Sequence, residues 1–478
     1  MRCEAVAPDR PCACCGPAAR RAMHRLSEGL SRRSLLGAAV SALALPDLAR
    51  AQAAPVPAPS QRPILLRHLR LFDGHGPGLR DGLQVLVRGN RITAIEAAGV
   101  AAPDGAMVLD AGGRTLMPGL IDAHWHTMFA PVTFITAMTA DIGLVYLAAG
   151  AEAERTLMRG FTTVRDAGGP AFALREAIDR GLISGPRIFP SGAMVSQTGG
   201  HGDFRMRNEF PRADNRLGYA ERVGAGVVAD GPAEVLRRVR EQLALGASQV
   251  KLVGGGGISS LYDPLDTVQF QPDEIRAAVA AAADWNTYVM AHLYTPASIE
   301  RYVQAGVRCV EHGQLADEHS ARLIADHGVW WSMQPFIAAL KRDRELSPGR
   351  AREREHLFAG TDRAYALAIR HKAKLAWGTD LLFEPAFTSD QGRNLTAMTR
   401  WFTPARVLTM ATRDNAELLA LSGPRSPYAG KLGVIEKNAL ADMLVVDGDP
   451  THDMAPLANP QTGLRLIMKD GRIHKNTL

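Results

Sequence analysis

The sequence predicts an α/β protein, a (β/α)8 TIM barrel with a small β-sandwich domain built from N- and C-terminal segments. Three observations carry that expectation. Eight strand-like runs alternate with helical ones through the middle of the chain, the signature of a parallel sheet wound by crossover helices. Short strands and tight turns occupy both ends with the same texture, and the ends of a domain commonly lie close in space. The 478 residues exceed one small core and fit a barrel of roughly 250 residues or more plus a minor domain. The expected boundaries are a leader over 1–53, a linker over 54–62, a β-sandwich from 63–115 with 426–478, and a barrel over 116–425.

Taken in order, the chain begins with Ser31-Arg32-Arg33-Ser34-Leu35-Leu36, a twin-arginine export pattern. The apolar run from Leu35 to Leu45 is too short to span a bilayer, and Ala49-Arg50-Ala51 supplies a small-x-small cleavage site. Export to the periplasm is therefore expected. Residues 1–51 hold eight arginines against four carboxylates, so +4 of the formal net charge of +6 belongs to this leader. The remainder carries no basic tract, which argues against nucleic acid and, after processing, against a membrane as partner. Four of the five cysteines (Cys3, Cys12, Cys14, Cys15) also lie there, leaving Cys309 alone beyond it and no disulfide framework.

A Pro/Ala linker follows over Ala53–Gln61. From Ile64 to Leu109 the pattern is strand and turn, with Gly89-Asn90 between two alternating apolar runs as a hairpin signal. The same texture returns in LGVIEKNALADMLVVDGDP and LRLIMKDGRIHKN. Between these lie the eight predicted barrel strands: LMPGLIDAHWH, FTTVRDAG, PRIFPSGAM, QVKLVGG, TYVMAHLY, RCVEHGQ, GVWWSMQP and KLAWGTD. Thr295-Pro296 and Thr403-Pro404 set an N-cap before a first-turn proline, and Gly306 and Gly328 are helix stops. A doubly wound sheet is the weaker alternative, because no G-x-G-x-x-G follows an early strand.

The chemistry-bearing residues fall at matching ends of these strands. The first ends in His124 and His126, which alternation sends to one side. The fourth carries Lys251 in an otherwise apolar run, the fifth ends at His292, the sixth at His312 and the eighth at Asp380. In a barrel, such ends converge on the active site. Two divalent ions about 3.5–4 Å apart need a bridging anion from the protein. A lysine carboxylated by carbon dioxide supplies one, because its carbamate has two oxygens. The arrangement puts His124, His126 and Asp380 on one ion, His292 and His312 on the other, and Lys251 across both. Nitrogen and oxygen donors without thiolate favour zinc, with Mn, Co or Fe as alternatives.

These motifs, with SQTGGHGD and the closing ADMLVVDGDP, resemble the amidohydrolase superfamily almost end to end. Within it the chain is most similar to the imidazolonepropionase-like branch, which holds metal-dependent prolidases, carboxypeptidase-like dipeptidases and ochratoxin-hydrolysing enzymes. The resemblance implies a binuclear zinc hydrolase with a carbamate on Lys251, acting on an amide between an acyl or aminoacyl group and a C-terminal amino acid. It implies a small-molecule partner and, because relatives are often multimeric, a homo-oligomer.

Asp380 is the expected proton shuttle for a metal-activated hydroxide. His201, flanked by glycines, is a candidate catalytic or substrate contact, and Tyr294 and Arg205 are further candidate substrate contacts. Asp122, on the strand face of His124 and His126, reads as an orienting partner of an imidazole or as a structural residue, and Asp166, ending the second strand, as structural because the ligand set is complete without it. The rival readings are a cyclic amidine or imide hydrolase or deaminase of the imidazolonepropionase type and, in another class, an inactive metal-binding scaffold.

Overall fold

A computed structural model describes residues 62–211, 216–260, 262–337, 340 and 347–478. The twin-arginine pattern, its cleavage site and nearly all of the linker lie outside the described residues. Among the described residues no helix is long and apolar enough to cross a membrane.

The alternating runs near both termini form strands of a single sheet. They are β1 (Ile64–Leu71), β2 (Arg80–Arg88), β3 (Arg91–Ala97), β4 (Met107–Asp110), β5 (Thr115–Pro118), β16 (Met443–Val446), β17 (Leu464–Lys469) and β18 (Arg472–Asn476). Their order is β18-β17-β16-β5-β1-β2-β3, with β4 beside β1, so first and last segments are hydrogen-bonded neighbours. The β2–β3 hairpin turns at Gly89-Asn90, where Gly89 takes a φ of +56°. Alternation explains why β16 is apolar throughout. Met443 and Val445 pack with Leu66, Val85 and Met468 of the sheet's own core, whereas Leu444 and Val446 join the larger α/β core.

That core is built by parallel strands: β6 (Leu120–Trp125), β7 (Phe161–Asp166), β8 (Arg187–Phe189), β9 (Met194–Ser196), β10 (Gly226–Val228), β11 (Val250–Val253), β12 (Val289–Leu293), β13 (Cys309–His312), β14 (Trp330–Met333) and β15 (Lys374–Trp377). Strands β6-β7-β8 form one sheet and β10-β9-β11-β12-β13-β14-β15 another. The protein is thus an α/β fold with parallel sheets. The third predicted strand divides into β8 and β9 in different sheets, because Pro190-Ser191-Gly192 interrupts it and proline lacks the N–H a ladder needs. The sheets still touch. Ser248 N–H donates to Pro190 O at 2.7 Å and Asp380 N–H to His124 O at 2.8 Å.

Helices between strands obey their sequence signals. The Thr295 and Thr403 hydroxyls accept from the N–H of Ser298 and Arg406, and Gly306 and Gly328 end helices with φ of +98° and +61°.

Candidate metal centre

His124, His126, His201, Lys251, His292, Tyr294, His312 and Asp380 all line one cavity, although they come from segments spread over more than half the chain. The Nε2 atoms of His124 and His126 each lie 3.3 Å from Asp380 Oδ1. Trp125 between them is buried in an apolar cluster. Donor atoms of His124, His312 and Asp380 fall within 4.8 Å of one another. The rings of His292 and His312 are 4.5 Å apart and those of His201 and His292 stack at 4.2 Å and 17°. His312 and Asp380, both at strand ends, adopt φ of +75° and +53°. Such conformations cost of order 1–3 kcal/mol in non-glycine residues and persist where surrounding structure imposes them.

Each imidazole has one nitrogen committed elsewhere. His124 Nδ1 pairs with Glu311 Oε2 at 2.7 Å, His126 Nδ1 with Gly168 O at 3.2 Å, His292 Nε2 with Gly256 O at 3.3 Å and His312 Nδ1 with Gln334 Oε1 at 2.6 Å. A carbonyl or carboxylate partner requires the ring N–H on that side, which leaves the other nitrogen as a lone pair. His124 Nε2 is buried and makes no hydrogen bond, although Asp380 stands beside it. Two facing acceptors are stable only with a proton or a cation between them. The donor set therefore fits a divalent metal.

The electrostatics agree. Burial pushes Asp380 upward, but His124, His126 and His312 outweigh it and hold the carboxyl well below its ordinary range. Burial, with His201, His312 and Lys251 nearby, drives His292 well down, and burial brings His312 to about 3. Lys251 is shifted down by burial against the pull of Glu311 and Asp380, toward the neutral amine. His124 is the exception: burial and Lys251 push it down, but Asp380 and Glu311 outweigh them and raise it. The downward shifts of His292, His312 and Lys251 and the ionised Asp380 run in the direction that metal ligation and carboxylation require.

Beneath the cluster lies a charge pair that reading single strands did not find. Glu311 accepts from Arg165 at 2.6 Å and from Cys309 Sγ–H at 2.9 Å, and Arg165 Nε donates to Ala123 O at 2.5 Å. Burial raises Glu311, but Arg165 and His124 overcome it and keep it ionised. The available signal was a buried charge of opposite sign in each of two strand runs, Arg165 in FTTVRD and Glu311 in CVEH; their pairing is tertiary.

Asp122 accepts from Thr379 Oγ1 at 2.6 Å and Gln391 Nε2 at 2.9 Å, tying β6 to the segment after β15. Asp166 accepts from Thr127 N–H at 2.8 Å. Neither reaches an imidazole, so both act structurally. His201 Nδ1 lies 3.3 Å from buried Asp263, another group the sequence reading missed. Arg205 is turned away. Its Nε bonds Asp203 at 2.8 Å, its guanidinium covers Phe210 at 4.4 Å, and it does not line the cavity. Among the described residues, the arginine that lines the cavity is Arg354.

Comparison with known proteins accords with this geometry. Residues 115–474 match the model of the amidohydrolase family. The ochratoxinase of Aspergillus niger is 30% identical over 383 residues, 75% of each chain. A solved amidohydrolase is 38% identical with a TM-score of 0.80, covering 87% of this chain and 100% of its own. A prolidase solved with N-methylphosphonate-L-proline is 33% identical with a TM-score of 0.78 over the same shares. The matched span includes every residue of the cluster, and the chain accordingly belongs to the amidohydrolase family, as a hydrolase of carbon–nitrogen bonds.

Proposed function

We propose that this protein hydrolyses the amide joining an acyl or aminoacyl group to a C-terminal amino acid, at a centre of two divalent ions, zinc first among the candidates. The observation that carries this reading is Lys251, buried in the same cavity as the four proposed imidazole ligands and Asp380. A mononuclear site does not need it. His124, His126 and Asp380 would hold one ion and His292 and His312 the other. The Lys251 amine, pushed toward its neutral form by burial, would add carbon dioxide with loss of a proton, and the resulting carbamate would supply an oxygen ligand to the centre. When bound, such ions supply Lewis acidity and water activated near neutral pH.

The chain's own residues do the rest. Asp380, ionised, accepts the proton of the attacking water and returns it to the leaving nitrogen. His201, steadied by Asp263 and by stacking on His292, faces the substrate carbonyl with its remaining nitrogen. Tyr294, at 4.9 Å from the His292 ring, packs against the bound substrate.

Two further readings belong here. Strands β6, β7, β8, β11, β12, β13, β14 and β15 follow one another as a closed (β/α)8 barrel would. The Ser248–Pro190 and Asp380–His124 bonds favour closure. The terminal sheet would be its companion β-sandwich domain. The protein would be exported by the twin-arginine route and work in the periplasm.

The functional test is a release assay across N-acyl amino acids and Xaa-Pro, Xaa-Arg, Xaa-Lys and Xaa-Phe dipeptides, with zinc and bicarbonate present. Release abolished by a chelator and restored by metal, with about two metals per chain, is expected from the two-ion chemistry. Release indifferent to the chelator would overturn the proposal.

A further inference from the structure

The walls of the cavity differ in character from its floor. A ladder of rings leads outward from the ligand cluster. Tyr294 lies against His312 at 5.0 Å and 29°, His312 against Phe336 at 6.5 Å and 18°, and Phe336 against Phe358 at 5.9 Å and 13°. Phe204 and Phe383 supply another apolar stretch, their rings 5.9 Å apart. Away from the cluster, the charged side chains among the described lining residues are Arg354 and Glu384. They are one of each sign, and each already has an interaction of its own.

Such a surface discriminates by desolvation. A bulky apolar side chain buried against it is favoured by the removal of its surface from water, and offset ring stacking adds to that. A lysine or arginine side chain would gain a cation–π attraction but lose the larger hydration of its charge. Glu384, the acidic residue among the described lining residues away from the cluster, is already engaged in an interaction of its own.

We infer that Phe336 and Phe358 determine substrate choice, selecting a large apolar, preferably aromatic, group beside the scissile amide and excluding cationic ones. This inference rests on the amide-hydrolase reading above and adds to it the side-chain class.

The test uses the zinc-loaded protein and two panels, acetyl-Xaa and Xaa-Ala, with Xaa as Phe, Leu, Ala and Lys. In at least one panel kcat/KM should favour Phe over Ala by about 10- to 100-fold and disfavour Lys. That Phe/Ala ratio should collapse toward one in Phe358→Ala, whereas Phe358→Leu should largely keep the corresponding Leu/Ala ratio. Unchanged metal content and melting temperature exclude misfolding of these variants. Equal rates across both panels, a preference for Lys, or a ratio indifferent to Phe358→Ala overturns the inference while leaving the hydrolase reading intact. If no amide is turned over, the hydrolase reading fails. The wall is then judged by calorimetric binding of L-phenylalanine, L-alanine and L-lysine. Tighter binding of phenylalanine, lost in Phe358→Ala, upholds it; equal affinities overturn it.

Discussion

The side chains that matter most here are those whose protonation state is imposed by neighbours. Asp380 is held ionised by three imidazoles, and in the proposed mechanism it alone shuttles the proton. Asp380→Asn should lower kcat by about 10²–10⁴-fold while far-UV circular dichroism stays unchanged. Lys251→Ala would remove the proposed carbamate and, on the two-ion proposal, should reduce bound metal from about two ions toward one, measurable by plasma emission. Retention of two metals and full rate would instead favour a mononuclear mechanism with an adventitious ion. Glu311 never touches the cavity, yet it fixes which nitrogen of His124 carries the proton. Glu311→Gln should therefore weaken metal affinity by about 10–100-fold in a chelator competition. Melting temperature should drop as well, because Arg165 is left as a buried charge without its counter-ion.

Most of these groups stand at or just beyond the C-terminal ends of their strands. His124, His292 and His312 fall in the last two residues of β6, β12 and β13, Lys251 sits inside β11, and Asp380 follows β15 by three residues, with the chain bending sharply at His312 and Asp380, where φ is positive. The glycine run after β11 has a specific reason. A Cβ on Gly257 would overlap the His201 ring, so backbone and imidazole can pack this closely only without a side chain there. Gly257→Ala should displace His201 and cut kcat/KM by about tenfold or more while metal content holds. Gly78→Ala, in open space, should be silent in the same assay.

For the whole molecule, the seam between the terminal sheet and the parallel strands is ionic as well as apolar. Arg187, at the start of β8, bonds Asp442 at 2.7 Å and Asp470 at 2.7 Å across that seam, and within the terminal sheet Asp447 joins Arg114 to Arg465. Burial raises Asp470 and Asp447, but the arginines outweigh it and depress both. A carboxyl depressed on folding contributes stability above its unfolded value near about 3.9, and that contribution is lost as pH falls through the folded value. Melting temperature should be flat from neutral pH to about 5 and fall below about 4. Asp470→Asn should melt lower at neutral pH and show a shallower acid limb; a limb as steep as the parent's would remove Asp470 from the account.

The sequence by itself determined the α/β alternation, the shared texture of the two ends and the polar residues at strand termini. These rest on local rules: side-chain period, proline and glycine punctuation, and capping. It located the cluster because each of the six proposed ligands stands out against an apolar strand. Only the tertiary structure decided who partners whom. Arg165 finds Glu311 across 146 positions, Asp263 steadies His201, and Arg205 goes to Asp203 instead of the cavity. Local pattern fixes which way a side chain leaves its strand. A buried charge is then satisfied by whatever the packed fold brings to it, and that neighbour is not written in its own segment.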